Sequence, residues 1–322
     1  MKKYTLIGAS GFLGTRLIDV IGKGNCINID KNQSTKYPDI TIIQDIRNEG
    51  IINSIPPSTE VVILLAAEHK DDVNPISLYY DVNVKGTQNV LEAMDSNGIT
   101  NLIFTSSVAV YGLNKKKPDE HHPADPFNHY GTSKWQAEEL LRKWYFNDPN
   151  NRSLTIVRPA VIFGEGNRGN VYNLINQISS DRFIMVGKGK NIKSMAYVGN
   201  VASFLHHCIK VNRSTYRLFN YSDKPDLNMN DLIKFVLEYF GKKQNLVRLP
   251  YMLALGGAKS LELLAKLRNE NFPVNTIRIK KFCADTQFDA TAAFNSGFSA
   301  PFSLLEGLKK TLEYEFPCSK RT

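Results

Sequence analysis

Seven residues near the start of the chain, Gly8-Ala9-Ser10-Gly11-Phe12-Leu13-Gly14, restrict the folds open to it more than any other segment. A short apolar run, Tyr4 to Ile7, precedes them, and apolar residues at helical spacing follow: Phe12, Leu13, Leu17, Ile18 and Ile21. That order reads as strand, tight turn and helix. Glycines in such a turn let the backbone approach a pyrophosphate at the helix N-terminus, where free amide groups point outward. A plain strand-to-helix turn also uses glycine, so the rest of the chain has to decide.

Further apolar runs occur at Cys26 to Ile29, Thr41 to Ile43, Val61 to Leu65, Leu102 to Phe104 and Leu154 to Val157, mostly separated by stretches long enough for a helix. Strands alternating with helices predict an α/β chain built on a doubly wound parallel sheet, the Rossmann arrangement. After Arg158-Pro159 the pattern loosens into Gly- and Asn-rich loops, with helices at Val198 to Lys210 and Asn230 to Phe240. Residues 1–160 are therefore expected to form a dinucleotide-binding domain. Residues 161–322 are expected to form a smaller C-terminal, mainly substrate-binding domain, with some segments returning to the first sheet. Asp30 closes the second strand, where a carboxylate accepts hydrogen bonds from the adenosine ribose hydroxyls and repels the extra phosphate of NADP. NAD is the expected cofactor, although Lys31 offers a neighbouring cation. Asp45, after the third strand, is placed either to accept a bond from the adenine amino group or to cap a helix.

A tyrosine takes a proton from a hydroxyl only when its pKa, about 10 in solution, is lowered by a nearby cation. Three Tyr-x-x-x-Lys matches occur: Tyr111/Lys115, Tyr130/Lys134 and Tyr239/Lys243. Lys115 opens a loop run of lysines ending at Pro118, and Gly241 interrupts the third pair. Tyr130-Gly-Thr-Ser-Lys134 instead runs into a strongly helical stretch, so its two side chains share one face. Upstream, Thr105-Ser106-Ser107 end a strand at the sheet edge where open α/β folds bind ligands. A hydroxyl there can polarise a substrate oxygen.

With these pieces in place, the chain resembles the extended short-chain dehydrogenases/reductases of the NAD-dependent epimerase/dehydratase type over nearly its whole length. The matching segments are GASGFLG, Asp30, LLAAEH, DVNVKGTQNVLEA, TSSVAVYG, YGTSK, RPAVIFGEGNRGN, GKGKNIKSMAYVGNV and SGFSAPFSLLEGLKKTLEYE. The resemblance implies Ser107 as the catalytic hydroxyl, Tyr130 as the acid/base and Lys134 as the lysine that binds ribose and lowers the tyrosine pKa. It implies a cofactor site drawn from Gly8, Ser10, Gly11, Phe12, Leu13, Gly14, Asp30, Asp45, Ile46, Leu65, Ala66, Ala67, Asn83, Tyr130, Lys134 and Pro159. The implied substrate site is drawn from Glu68, His69, Ser107, Val108, Tyr130, Asn170, Lys193 and Arg278. It further implies a homodimer formed by the helices that carry Asn83 and Tyr130.

The residues after Ser107 narrow the reaction. Eliminating water from a keto sugar needs an acid and a base of its own, which dehydrating relatives place directly after the catalytic hydroxyl; this chain has Val108-Ala109. What remains suits a 4-epimerase, which oxidises a sugar at carbon 4 and reduces it from the other face, and equally a 4-ketoreductase. A noncatalytic NAD-sensing module, a third class, usually lacks the Tyr or the Lys that this chain retains. Lys193 stands where relatives commonly have Arg, a point charge in place of a bidentate fork for a substrate diphosphate, and Arg278 is a second candidate cation. Similarity through LLAAEHKDDV, SLYYDVNV and NRGNVYNL implies an N-acetylglucosamine or N-acetylgalactosamine diphosphate as substrate, carried on UDP or undecaprenyl diphosphate, and a role in bacterial O-antigen synthesis.

The formal net charge is +9, and Lys242 to Lys281 hold nine Lys/Arg against two acids. Within this stretch the leucine-rich segment from Leu249 to Leu267 reads either as a buried helix of the substrate domain or as an interfacial helix on anionic lipid. Basic residues are not interleaved with aromatics in a nucleic-acid reader pattern, so no nucleic-acid partner is expected. No run approaches the roughly 18 apolar residues of a spanning helix, and Gly8, Gly11, Gly14, Arg16 and Asp19 interrupt any secretion-signal core. Cys26, Cys208, Cys283 and Cys318 lie far apart, while His121-His122 and His206-His207 lack a third ligand, so no metal is expected. The expected location is cytoplasmic, with peripheral contact on the cytoplasmic face of the inner membrane.

Overall fold

Six strands from the first half of the chain set up the sheet: β1 (Tyr4–Ile7), β2 (Cys26–Asp30), β3 (Thr41–Ile43), β4 (Val61–Leu64), β5 (Asn101–Thr105) and β6 (Ser153–Pro159). Four short strands follow, β7 (Val161–Phe163), β8 (Met185–Val186), β9 (Ile192–Lys193) and β10 (Met195–Tyr197), before β11 (Tyr216–Tyr221) returns to the sheet edge beside β6. Two more short strands, β12 (Leu227–Asn228) and β13 (Arg248–Leu249), lie beyond it. This computed structural model describes residues 3–70, 73–210, 215–243, 246–268 and 276–317, with the backbone alone for 263–268. Cys318, Glu270 and the side chains of Lys266 and Arg268 lie outside the described residues.

The strand order is β11-β6-β5-β4-β1-β2-β3, and every neighbouring pair is parallel. Such a sheet is covered on both faces, which is why β4 (VVIL) is buried at every position. The chain winds outward from β1 to β3, then crosses back to β4 and winds the other way. The crevice that opens at this reversal, at the C-terminal ends of β1 and β4, is where ligands bind in such sheets.

Helices Gly86–Ser96 and His129–Asn147 cover one face, packing Val90, Met94, Ala137 and Leu141 against Val62, Leu64 and Phe104. Phe12–Ile21 and Val198–Lys210 cover the other, where Leu17, Ile18, Val201 and Leu205 meet Leu6 and Ile63. The buried positions of Phe12–Ile21, namely Gly14, Leu17, Ile18 and Ile21, follow helical spacing. Truncating Leu17 to Ala here costs about 2–5 kcal/mol. A third core lies around Phe163, Ile175, Met185, Ile233 and Leu308, so helices Asn170–Ser179, Met229–Tyr239 and Leu304–Glu315 pack together away from the sheet.

Two local departures from simple periodicity bear on the site. Leu65, expected within the fourth strand, lies outside it: its N–H and that of Ala66 both donate to Ile7 O, at 2.8 and 2.9 Å, bending the chain toward β1. The helical stretch carrying Asn83 is broken into Ser77–Tyr80, a π turn at Asp81–Lys85, and Gly86–Ser96. Such single π turns recur at functional sites. Among the described residues, no helix is long and apolar enough to cross a membrane.

Candidate active site

The glycine turn is built by steric necessity at two of its three positions. Gly8 adopts a φ of +87°, and a Cβ there would stand 2.5 Å from the Ala66 backbone; at Gly14 it would stand 2.2 Å from Ala9 Cα. Gly8 therefore permits the turn and Gly14 the seating of the first helix. Gly11 differs, because the nearest atom to a Cβ there is 3.7 Å away. No protein neighbour requires glycine at that position, which leaves the outer side of the turn open, as a pyrophosphate at a helix N-terminus needs.

Asn28, fully buried in β2, supports the turn from beneath. Its Oδ1 accepts from Ala9 N–H at 2.9 Å, and its Nδ2 donates to Ser10 Oγ at 2.9 Å and Thr41 Oγ1 at 3.0 Å. Asp30 Oδ2 accepts from Ser10 N–H at 3.0 Å and Oδ1 from Asn32 N–H at 2.9 Å. Each carboxylate oxygen keeps a lone pair for a ribose hydroxyl. Asp45 caps no helix: Arg47 donates to it from its backbone N–H at 2.9 Å and from Nη2 at 2.7 Å. Those bonds hold the Asp45 carboxyl below its ordinary pKa, against the effect of burial. Ile46 is buried, and its carbonyl accepts from Asn89 Nδ2 at 2.8 Å.

Past β4, Leu65, Ala66, Ala67 and Glu68 are half-buried and form a wall of the crevice. Asn83, 1% exposed, latches this wall to the helix that carries Tyr130. Its Oδ1 accepts from Glu68 N–H at 2.8 Å, and its Nδ2 donates to Glu68 O at 3.0 Å and Ser133 Oγ at 2.9 Å; Ser133 Oγ donates in turn to Tyr130 O at 2.9 Å. Asn83, expected at the cofactor, joins two site segments through its amide.

Helix His129–Asn147 starts at Asn128, whose Oδ1 accepts from Gly131 N–H at 2.9 Å. A Cβ at Gly131 would stand 2.6 Å from Ala109 O, so the first helical turn lies directly on the short turn Val108–Tyr111. Ser107 Oγ caps that turn by accepting from Ala109 N–H at 3.1 Å. The hydroxyl proton stays available to a substrate oxygen. Tyr130 is half-buried beside this contact, and Lys134 is buried with its Nζ 4.0 Å from the centre of the Phe104 ring. Burial pushes the Lys134 ammonium down to about 7, opposed by the Glu138 carboxylate one helical turn on.

Glu138 is the centre of a buried network that sequence reading missed. It is fully buried and accepts from Ser106 Oγ at 2.5 Å, from Arg158 Nε and Nη2 at 2.9 and 2.6 Å, and from Arg142 Nη2 at 2.5 Å. Arg158 Nη1 donates to Tyr111 OH at 2.6 Å, which donates to Asn220 Oδ1 at 2.8 Å. Helix His129–Asn147 is thereby tied to the ends of β5, β6 and β11. The available signal was Arg158 directly after the strand-forming run Leu154 to Val157.

The residues expected at the substrate are less gathered. Val108 is buried, Pro159 is buried at the end of β6, and His69 and Asn170 are exposed. Lys193 Nζ donates to Lys281 O at 3.0 Å and Ala284 O at 2.7 Å, closing the C-terminal end of helix Thr276–Cys283. Burial lowers it to about 8. Arg278 is exposed on the same helix. An open cleft of about 840 Å³ lies between the loop ending at Phe127, three residues before Tyr130, and the segment Val186–Asn191, with Tyr251 and Lys280 on its rim. Among the described residues, no group of three or more His, Cys, Asp or Glu is placed to hold a metal ion.

Fold and site together define a dinucleotide-binding protein equipped to move a proton and a hydride at one carbon. The chain belongs to the NAD-dependent epimerase/dehydratase family, whose pattern matches residues 4–220. It is 56% identical over 317 residues to the N-acetyl-α-D-glucosaminyl-diphospho-ditrans,octacis-undecaprenol 4-epimerase of Escherichia coli O157:H7, covering 98% of this chain and 96% of that one. Its fold matches the UDP-N-acetylglucosamine 4-epimerase of Methanobrevibacter ruminantium, solved with UDP-N-acetylmuramic acid (TM-score 0.76, 18% identity, 97% of each chain). It also matches the UDP-glucose 4-epimerase of Thermotoga maritima with UDP-glucose (TM-score 0.75, 21% identity, 97% and 98% of the chains).

Proposed function

We propose that this protein is an NAD-dependent 4-epimerase that interconverts N-acetylglucosamine and N-acetylgalactosamine on undecaprenyl diphosphate. The observation that carries this reading is the 56% identity, over almost the whole of both chains, to the E. coli enzyme of that activity. The intact Ser107, Tyr130 and Lys134 set and the open Gly11 side of the turn support it. When bound, NAD supplies the acceptor for hydride from carbon 4 and the donor for its return. Tyr130 takes the proton from the 4-hydroxyl as the sugar is oxidised and gives it back on reduction, while Ser107 donates to the same oxygen. Lys134 acts on Tyr130 from a water-poor position, where its charge is weakly screened.

The remaining parts of the reading are a homodimer through the helices around Asn83 and Tyr130, and a protein that works at the cytoplasmic face of the membrane holding its substrate. Phe146, 63% exposed on the Tyr130 helix, supports an apolar contact there. The test is incubation without added cofactor of UDP-N-acetylglucosamine and its undecaprenyl-diphosphate counterpart in parallel, resolving the gluco and galacto isomers. Conversion of the lipid-linked sugar is expected, and Tyr130→Phe is expected to reduce turnover by about 10²-fold or more with an unchanged circular dichroism spectrum. Conversion of the UDP sugar alone overturns the carrier. Turnover of neither sugar, with NADH oxidised only when a 4-keto sugar diphosphate is supplied, overturns epimerisation in favour of ketoreduction.

A further inference from the structure

Three segments remote in sequence form one outer surface at the rim of the cleft. β13 pairs with β8, placing Arg248 opposite Met185, and Arg248 Nη1 donates to Lys188 O at 3.3 Å. Helices Tyr251–Arg268 and Thr276–Cys283 pack through Ala254, Ala258 and Ile279, with Val186 and Leu249 against the same small core. Across residues 182–191, 246–260 and 276–283 there are eight Lys/Arg and no Asp or Glu. Lys188, Lys190 and Lys280 line the cleft itself.

The same surface exposes large apolar side chains. Met252 is 74% and Leu253 64% exposed on the first turn of their helix, and Val247 and Ile184, joined by the bond from Met185 N–H to Val247 O, are 66% and 51% exposed. The interfacial alternative for residues 249–267 is therefore modified in one respect. The apolar face at Ala254 and Ala258 is buried against Ile279, and it is the tip of the helix that projects.

We infer that this tip and its basic surround dock the protein on an anionic phospholipid bilayer, with Met252, Leu253, Val247 and Ile184 entering the headgroup boundary and the cleft rim facing the lipid. Aliphatic side chains within a predominantly basic field, in which the cleft's Asp125 is paired with Lys115, fit such a surface. A second copy of the chain would bring like charges together, and a nucleic acid would leave the aliphatic residues without a stacking partner. The purpose of the surface, bringing the cleft to a polyprenyl-linked sugar, rests on the function proposed above; the docking rests on these residues alone.

The experiment is flotation of the purified full chain with vesicles of phosphatidylcholine alone or mixed with phosphatidylglycerol, without substrate. Binding to the mixed vesicles is expected, with a sharp fall in 0.5 M salt, where surface charges are screened. Met252→Ser/Leu253→Ser is expected to lower the partition coefficient about tenfold or more, while its turnover of a detergent-dispersed substrate stays unchanged. Equal flotation with neutral and anionic vesicles overturns the inference, as does unchanged binding by the variant. A change of oligomeric state in that variant also overturns it, in favour of self-association. Loss of docking with epimerisation retained, or the reverse, separates failure of this inference from failure of the proposed function.

Discussion

Replacing Glu138 by Gln tests whether the buried network fixes the catalytic helix. The carboxylate is fully buried and Arg158 is 2% exposed, so neither side chain can turn to water when its partner changes. Burial alone pulls the Arg158 guanidinium toward losing its proton, and the bonds and charge of Glu138 more than reverse that. Removing one member of such a pair costs about 3–5 kcal/mol. Gln retains one acceptor oxygen, so Glu138→Gln is expected near the low end, about 3 kcal/mol, against a typical domain stability of about 5–15 kcal/mol. Urea denaturation should show this as a lower midpoint with an unchanged slope. Glu138→Leu/Arg158→Met, which removes both charges, should recover much of the loss. The catalytic readout is separate. Without Glu138, nothing offsets the effect of burial on Lys134, so its pKa falls and the alkaline limb of kcat/KM moves to lower pH. A loss under about 1 kcal/mol together with an unmoved pH profile would refute the reasoning.

Two further predictions use the same geometry. Gly14→Ala forces a methyl group to within 2.2 Å of Ala9 Cα and should destabilise the protein by about 1–3 kcal/mol; Gly11→Ala should leave stability within about 1 kcal/mol yet weaken NAD binding, a contrast that melting curves and calorimetric titration can separate. For Lys134, whose folded pKa of about 7 lies below the ordinary lysine value of 10.5, the unfolded chain binds the extra proton between those two values. This residue's contribution to stability therefore falls as pH is lowered from above 10 to 7, and then levels off. Lys134→Met should remove that slope in the cofactor-free protein, so the two stability curves should approach each other as pH rises; parallel curves would show that the lysine is not desolvated.

The parts of this molecule legible in sequence are those whose cause is local. Strands β1, β2, β4, β5 and β6 read as apolar runs because a parallel sheet buries both faces, whereas edge strand β3 leaves Ile42 and Ile43 exposed; Tyr130 and Lys134 read as a pair because one helical turn places them together. Even Leu65 was misplaced by only one residue, where a shared acceptor at Ile7 O bends the chain. The polar residues that hold the site in place have distant causes. Asn28 supports Ala9 from 19 residues away, Glu138 meets Arg158 from 20, and Lys193 reaches Lys281 and Ala284 from the far side of the second half of the chain. Nothing within its own element separates Glu138 from the solvated acids of an ordinary helix. The difference arises only when the parallel register of β5 against β6 brings Phe104 beside Ile156 and leaves Ser106 and Arg158 under the helix. Tyr130 and Lys134 could therefore be paired from spacing, whereas the hold of their helix on the sheet includes a charge pair that exists only after the sheet has formed. A variant that keeps Ser107, Tyr130 and Lys134 but loses Glu138 preserves every residue of the motif while removing the contact that sets the height of Lys134, and it is the sharper test of how this site is built.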